Sequence, residues 1–416
     1  MNTVIFILFL LECIAVVYWE HRIWKTLYTP INILLLPYAA IVLLAVSLPE
    51  SMHFVPFYYP SLLVWMGGIL LMEIPSTVLA YIYGIPNTSD EAYQFPGEAY
   101  RFPKWLWIAG GLSILLATWH LKAVLGSSIY SFGTDEFADE YAIYGLYGHI
   151  IVFLGAMTVL LFASVRRHNI LLPIVCIIAI AALTMTNQVK SWVIIPLVAG
   201  FILCLLMRRI HLNWRVVLLI ALSGSTIYAG SYLLNFIVGG SSHYSKQMGT
   251  FIVEHFLHYL FSGALGLSEE MRLGLTVPTD PRVFFAPFIN VVNTLTGDDV
   301  VSPISTVSVI INSDTQIYNN VRTHFGSIYL RGGMAFYMIY PVVSGLFFYV
   351  VRIASLKTKS IYIAAIDAWL CAIMAMGWFD FYFWLMNTIE VPILLFLIYL
   401  VDCYAKNHHT QLQRDE

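Results

Sequence analysis

Charge is scarce in this sequence: Asp, Glu, Lys and Arg make up 11% of its 416 residues, against 59% hydrophobic. Soluble domains carry roughly one-quarter charged residues, so this shortage excludes a water-soluble globular protein. A mean hydropathy of +0.78 points instead to an integral membrane protein. Cysteine is sparse as well. Cys13, Cys176, Cys204, Cys371 and Cys403 all lie in apolar runs, which leaves the polar part of the chain without a disulfide framework. No basic, aromatic-interleaved patch is present, which sets nucleic acid aside. The sequence also lacks a soluble-domain linker, a low-complexity tract and an evident internal repeat.

What is present is a series of long apolar runs. A helix needs about 20 mostly apolar residues to cross a hydrocarbon core of about 30 Å. On that ruler the runs at 3–19, 30–48, 57–83, 105–121, 146–165, 169–186, 191–207, 216–238, 334–351, 360–378 and 389–404 predict about eleven transmembrane helices. Continuous blocks such as Ile170 to Leu183 do not fit the short alternating segments of a membrane barrel. The expected fold class is therefore all-α and polytopic. The first run has no basic residues before it and no small-x-small cleavage site, and Arg22 and Lys25 follow it. It is expected to be a retained helix and not a signal peptide.

Short cytoplasmic connections are enriched in Lys and Arg. Basic residues recur at every second connection: Arg22 and Lys25, Arg101 and Lys104, Arg166 and Arg167, Arg208, Arg209 and Arg215, Arg352, Lys357 and Lys359, then Lys406 and Arg414. The others hold Lys122 and Lys190, with acids at Asp135, Glu136, Asp139 and Glu140. This alternation predicts an outside N-terminus, an inside C-terminus and a large outside loop. The organisation read from the chain is eight helices in 1–238, the loop at 239–333, and three helices with a tail in 334–416.

The loop carries Lys246, Arg272, Arg282, Arg322 and Arg331. Long translocated segments largely escape the positive-inside bias, so these charges need another explanation. Thr250 to Arg272 has helical periodicity, with Glu254, His255, His258 and Ser262 on one face. It is expected to lie in, or dip into, the membrane interface. Pro278 and Asp280-Pro281 break the chain, Thr296-Gly297-Asp298-Asp299 makes a turn, and Pro303 to Ile311 is a short apolar element. The segment is too apolar for disorder and should form a folded cap.

The loop ends in Tyr318-Asn-Asn-Val-Arg322-Thr-His324-Phe-Gly326-Ser-Ile-Tyr329-Leu-Arg331-Gly-Gly333. Through Asn320, Val321, Thr323, Phe325, Tyr329 and Gly333, this block resembles the signature near the end of the large periplasmic loop of Wzy-type polymerases of O-antigen and capsule repeat units. It departs from that pattern at Arg322, where an aromatic residue is usual, at Arg331, where an acid is common, and at Gly326, where an arginine is often found. The resemblance extends loosely to the number of spans and the place of the loop.

The resemblance implies a glycosyltransferase of GT-C-like architecture, multi-pass in the bacterial inner membrane. It would move glycan between undecaprenyl-pyrophosphate carriers at the periplasmic face, without metal or cofactor, among membrane lipids and alongside a chain-length regulator and a flippase. A lipid pyrophosphate leaving group needs preorganised cations, and arginine meets phosphate oxygens in pairs. That makes Arg322, Arg331, Arg272 and Arg282 the candidate anchors, with Lys190 at a helix start and Tyr329 beside them. The acceptor hydroxyl needs a base near neutral pKa; His324 is the first candidate, with Glu254, His255 and His258 behind it. The structural alternative pairs each arginine with a loop acid such as Glu269, Glu270, Asp280 or Asp314.

Two other functions share parts of this pattern. A ligase transferring finished glycan to lipid A core has a similar layout. A flippase would need intramembrane ionisable groups such as Glu12, Glu73 beside Pro75, and Asp367, but its helices are ordinarily joined by short loops.

Overall fold

The computed structural model describes all residues except 1, 49, 84–99, 101, 129–136, 138, 139, 142–144, 166–168, 187, 188, 239–245, 276, 303–306 and 416. Arg101, Asp135, Glu136, Asp139, Arg166, Arg167 and Pro303 lie outside the described residues, as does the side chain of Lys246.

A helix stands at each apolar run. Among the described residues seven are long and apolar enough to cross a membrane: Asn2–Trp24, Tyr59–Tyr83, Lys104–Ser127, Leu146–Ser164, His324–Thr358, Ile361–Trp378 and Met386–Ala405. The apolar helices Pro30–Val46, Leu171–Met185 and Lys190–Leu206 are shorter, and a further apolar helix runs over Trp214–Val238. Prolines 37, 75, 196, 341 and 392 sit inside helices, which packed neighbours permit in membrane segments.

The chain divides into two compact units. The first comprises Met1–Ala92, Val253–Ala354 and Leu370–Ile389; the second comprises Tyr93–Ile252, Ser355–Trp369 and Glu390–Glu416. In the first, α1 (Asn2–Trp24), α2 (Pro30–Val46) and α3 (Leu62–Tyr83) pack around a fully buried acid. Glu20 accepts from Ser76 Oγ and from the Tyr349 hydroxyl, each at 2.5 Å, and Trp24 Nε1 donates to Ser76 at 2.9 Å. The composition left Glu20 unremarked because it sits near the end of a long apolar run.

In the second unit His120 stacks on Tyr147, His149 Nδ1 lies 2.6 Å from Glu390, and Tyr100 bonds Tyr362 at 2.9 Å. The helix Lys190–Leu206 begins at Lys190, whose Nζ donates to the Tyr232 hydroxyl at 3.0 Å and lies over the rings of Tyr228 and Tyr232.

The large loop is folded. Its first element, α4 (Lys246–Leu273), is the expected helix, but every residue from Phe261 to Glu270 is buried. In this half protein covers the polar face of the helix, and arginines neutralise its acids Glu269 and Glu270. Gly266 permits the close approach: a Cβ there would stand 2.7 Å from the Val321 carbonyl oxygen.

After the proline break comes a 3-10 turn, Pro281–Phe285, and then α5 (Ala286–Thr296), which the sequence left as loop; it ends at Gly297 in the left-handed region, φ 80°. The described remainder of the Pro303 to Ile311 element supplies β1 (Val309–Ile310), antiparallel to β2 (Tyr318–Asn319). Thr323 caps the short helix α6 (His324–Ser327), a π-helical turn follows at Ile328–Gly332, and Gly333 opens α7 (Gly333–Thr358).

Candidate functional site

The recognisable block of the loop is anchored by aromatic packing. Tyr38 of α2 stacks on Trp65 of α3, and Trp65 Nε1 donates to Thr323 Oγ1 at 2.8 Å while its ring meets Phe325 edge-on. With Thr323 fixed as a cap, Arg322 and Arg331 are directed inward, where both meet Glu270 of α4.

Glu270 Oε2 accepts from Arg322 Nε at 2.5 Å and from Arg331 Nη2 at 2.9 Å. Arg331 Nη1 also lies 2.8 Å from Oε1, an ion contact without hydrogen-bond alignment. Arg322 is 1% exposed, Arg331 3% and Glu270 0%. The remaining Arg322 nitrogens donate to the carbonyls of Val321 and Val307, each at 2.7 Å, so every nitrogen of that guanidinium is bonded. Two guanidiniums thus share one carboxylate, leaving an excess positive charge that low-dielectric surroundings make costly unless it is compensated.

Asp380 supplies part of the compensation. It accepts from Ser327 Oγ at 3.2 Å, and burial pushes its carboxyl up to about 7 even though Arg322 pulls the other way. Burial likewise holds the Arg322 guanidinium below its ordinary range.

Arg331 also forms part of the wall of a cleft of about 640 Å³. Asp280, Arg282, Asn293, Asp299 and Ser302 line it as well, with Pro278, Val283, Ile289, Val300 and Val301. The Asp280 backbone N–H donates to the Arg331 carbonyl at 2.9 Å, which docks the turn onto the π-helical segment. π-helical turns are frequent at functional sites. Asn290 and Asn293 pin the opposite wall: Asn290 Nδ2 donates to the Val301 carbonyl, Val301 N–H donates to Asn290 Oδ1, and Asn293 Nδ2 donates to the Asp299 carbonyl. Arg282 is exposed and bound bidentately by Asp280, at 2.9 and 2.8 Å. Arg331 Nε is buried with no hydrogen-bond partner among the described residues.

The other predicted residues fall elsewhere. Arg272 is held by Glu269 at 2.7 and 2.6 Å. All four loop arginines therefore carry the acid partners that the structural alternative named, and Arg331 and Arg282 face a cleft in addition. His324 is 1% exposed, against Phe325, Phe381 and Phe383, and lines neither cleft. That position surrounds it with aromatic rings, and its Nε2 is buried with no hydrogen-bond partner among the described residues. Tyr329 is half-buried against Tyr337. Lys190 belongs to the second unit.

Glu254 and His258 line the second of these clefts, a separate one of about 180 Å³. Among the described residues no group of three or more His, Cys, Asp or Glu stands close enough to hold a metal ion.

Sequence reasoning missed Asp380 and Asn319. Asp380 is a lone acid in the aromatic run from Trp378 to Trp384, a placement that demands a partner. Asn319 Nδ2 donates to the Ser262 carbonyl at 2.7 Å.

Helices of this length and apolarity define a helical membrane protein. The chain belongs to a family of unknown function, DUF6337, whose model matches residues 53–407. No curated protein matches the chain, and no solved structure does.

Proposed function

We propose that the protein polymerises undecaprenyl-pyrophosphate-linked oligosaccharide repeat units into surface polysaccharide by metal-independent glycosyl transfer. On this reading about eleven helices span a bacterial inner membrane, the N-terminus and large loop face the periplasm, and the C-terminus faces the cytoplasm. One observation carries the proposal: a buried pair of arginines on one carboxylate, with Arg331 forming the wall of a cleft of about 640 Å³. Excess positive charge that the protein leaves partly uncompensated suits a pyrophosphate, whose developing charge it stabilises as the bond breaks.

In the reaction the acceptor hydroxyl oxygen forms a bond to the anomeric carbon. The bond from that carbon to the carrier oxygen breaks, and its electron pair leaves on the pyrophosphate. The hydroxyl proton passes to a carboxylate. Asp299 lines the cleft with no arginine on it among the described residues, and it takes this role in place of His324. Arg331 and Arg282 hold the pyrophosphate, and Arg322 positions Arg331 through Glu270.

Deletion of the gene, followed by electrophoresis of surface glycan, tests the proposal. A single repeat unit on its lipid anchor supports polymerase. Accumulated lipid-linked polymer would indicate a ligase, and repeat units trapped on the cytoplasmic face a flippase; either result overturns the proposal.

A further inference from the structure

The smaller cleft, about 180 Å³, lies between the start of α4 and the loop after β1. Glu254, Leu257 and His258 line it from the helix, Ser51 to Phe54 from a short segment before α3, and Asn312, Asp314 and Thr315 from the loop. Asn312 builds the wall: its Nδ2 donates to the Met52 carbonyl at 2.9 Å, and its Oδ1 accepts from the N–H groups of Asp314 and Thr315. His53 is fixed in the left-handed region, φ 57°, with its carbonyl accepting from Ser313 N–H at 2.9 Å. A non-glycine residue held there marks a conformation imposed by its surroundings.

Two of the lining residues carry a buried polar atom with no hydrogen-bond partner among the described residues: Nδ1 of His258, a residue 5% exposed, and Oγ1 of Thr315. Buried polar atoms are almost always bonded, so two together ask for a ligand or water. The rim adds the carboxylates of Glu254 and Asp314, which accept hydrogen bonds and repel anions. Phe54 contributes an apolar face, itself braced edge-on by Phe261. Burial pushes the His258 imidazole down to about 4, so at neutral pH it offers one donor and one acceptor.

Hydroxyl donors over carboxylates, an apolar ring face and a neutral imidazole are the needs of a pyranose. A phosphate would meet two acids and no cation, and the four ionisable groups do not assemble into a metal site. We infer that this cleft is a carbohydrate subsite taking one uncharged pyranose residue, separate from the arginine cleft. At 1.5 Å per residue, His258 and Glu270 are about 18 Å apart along α4, so the subsite lies several sugars from the phosphate cleft. It grips the glycan at a distance and does not activate the reacting hydroxyl. The term glycan rests on the proposed polymerase activity; sugar binding itself does not.

The test is saturation-transfer NMR on the purified full-length protein in detergent, with a panel of methyl hexopyranosides and methyl 2-acetamido-2-deoxyhexopyranosides. At least one probe should bind. Thr315→Val and Glu254→Gln should each weaken it by about fivefold, the scale of one lost hydrogen bond, and inorganic pyrophosphate should not displace it. Gel filtration of each variant checks its fold. No binding by any probe, equal binding to the variants, or displacement by pyrophosphate overturns the subsite. Binding that survives while deletion leaves surface glycan unchanged keeps the subsite and removes only the polymerase role.

Discussion

Nε of Arg322 donates to Oε2 of Glu270 at 2.5 Å across 52 residues of sequence. The contact ties the end of the large loop to the helix that begins it. Because the same oxygen holds Arg331 at 2.9 Å, the position of one arginine is set by the other.

Removing the shared carboxylate should therefore do more damage than removing a surface charge. Breaking a buried ion pair by deleting one partner costs about 3–5 kcal/mol, and Glu270→Gln takes from two buried guanidiniums the carboxylate they share. The variant should melt well below wild type in detergent. The triple replacement Glu270→Leu, Arg322→Met and Arg331→Met should recover much of that loss, since apolar groups of similar size often substitute for buried ions, yet it should make no polymer. A Glu270→Gln protein that melts like wild type would show that the triad carries no such load.

Gly333 tests the geometry from another side. Its φ of 78° and ψ of 169° fall in a region essentially confined to glycine, at a cost of about 1–3 kcal/mol for other residues. A Cβ would meet nothing nearer than 3.5 Å, at Thr279, so the penalty is conformational and not steric. Gly333→Ala and Gly333→Asn should lower thermal stability alike and shorten the glycan, because the residue follows directly on the turn that carries Arg331. Wild-type stability in both would contradict the assigned backbone.

Much of this was legible in the chain because membrane helices announce themselves by length and apolarity, as Asn2–Trp24 and Leu146–Ser164 do. The Gly333 helix start, the Gly297 turn and the acid partners of the loop arginines were also visible, the last because few acids lie within reach. The burial of His324 was not: it depends on Phe381 and Phe383, more than fifty positions away, and no local period encodes that. Asp380 escaped for the same reason. The helix Ala286–Thr296 was hidden by the β-branched residues and asparagines that lower its intrinsic propensity, while Pro287 at its first turn is a start signal.

The cleft arginines should separate stability from function. Arg282 is exposed, and its pairing with Asp280 is screened by water, so Arg282→Ala should leave the melting temperature unchanged while reducing polymer made in cells. Arg331→Lys keeps the charge but loses the planar fork, and should reduce polymer further. The comparison needs membrane insertion verified and glycan length read by gel. Full-length glycan from both variants would remove the cleft from the reaction.

Asp380 gives the pH dependence. Its ordinary value is 3.8 and burial raises it to about 7 in the folded protein, so folding takes up a proton between those values. Stability falls with rising pH wherever the native state binds more protons than the unfolded state. This contribution is therefore complete below about pH 4 and is lost as pH rises through about 7. Asp380→Asn should flatten that part of the profile, keeping an uncharged group that can still accept from Ser327. Above pH 7 the wild-type carboxylate offsets the excess charge of Arg322 and Arg331, so the Asp380→Asn variant should bind pyrophosphate more tightly there than wild type and equally at pH 5. Thermal melts and pyrophosphate titrations at both pH values make the comparison, and parallel profiles for the two proteins would show that Asp380 does not titrate in this range.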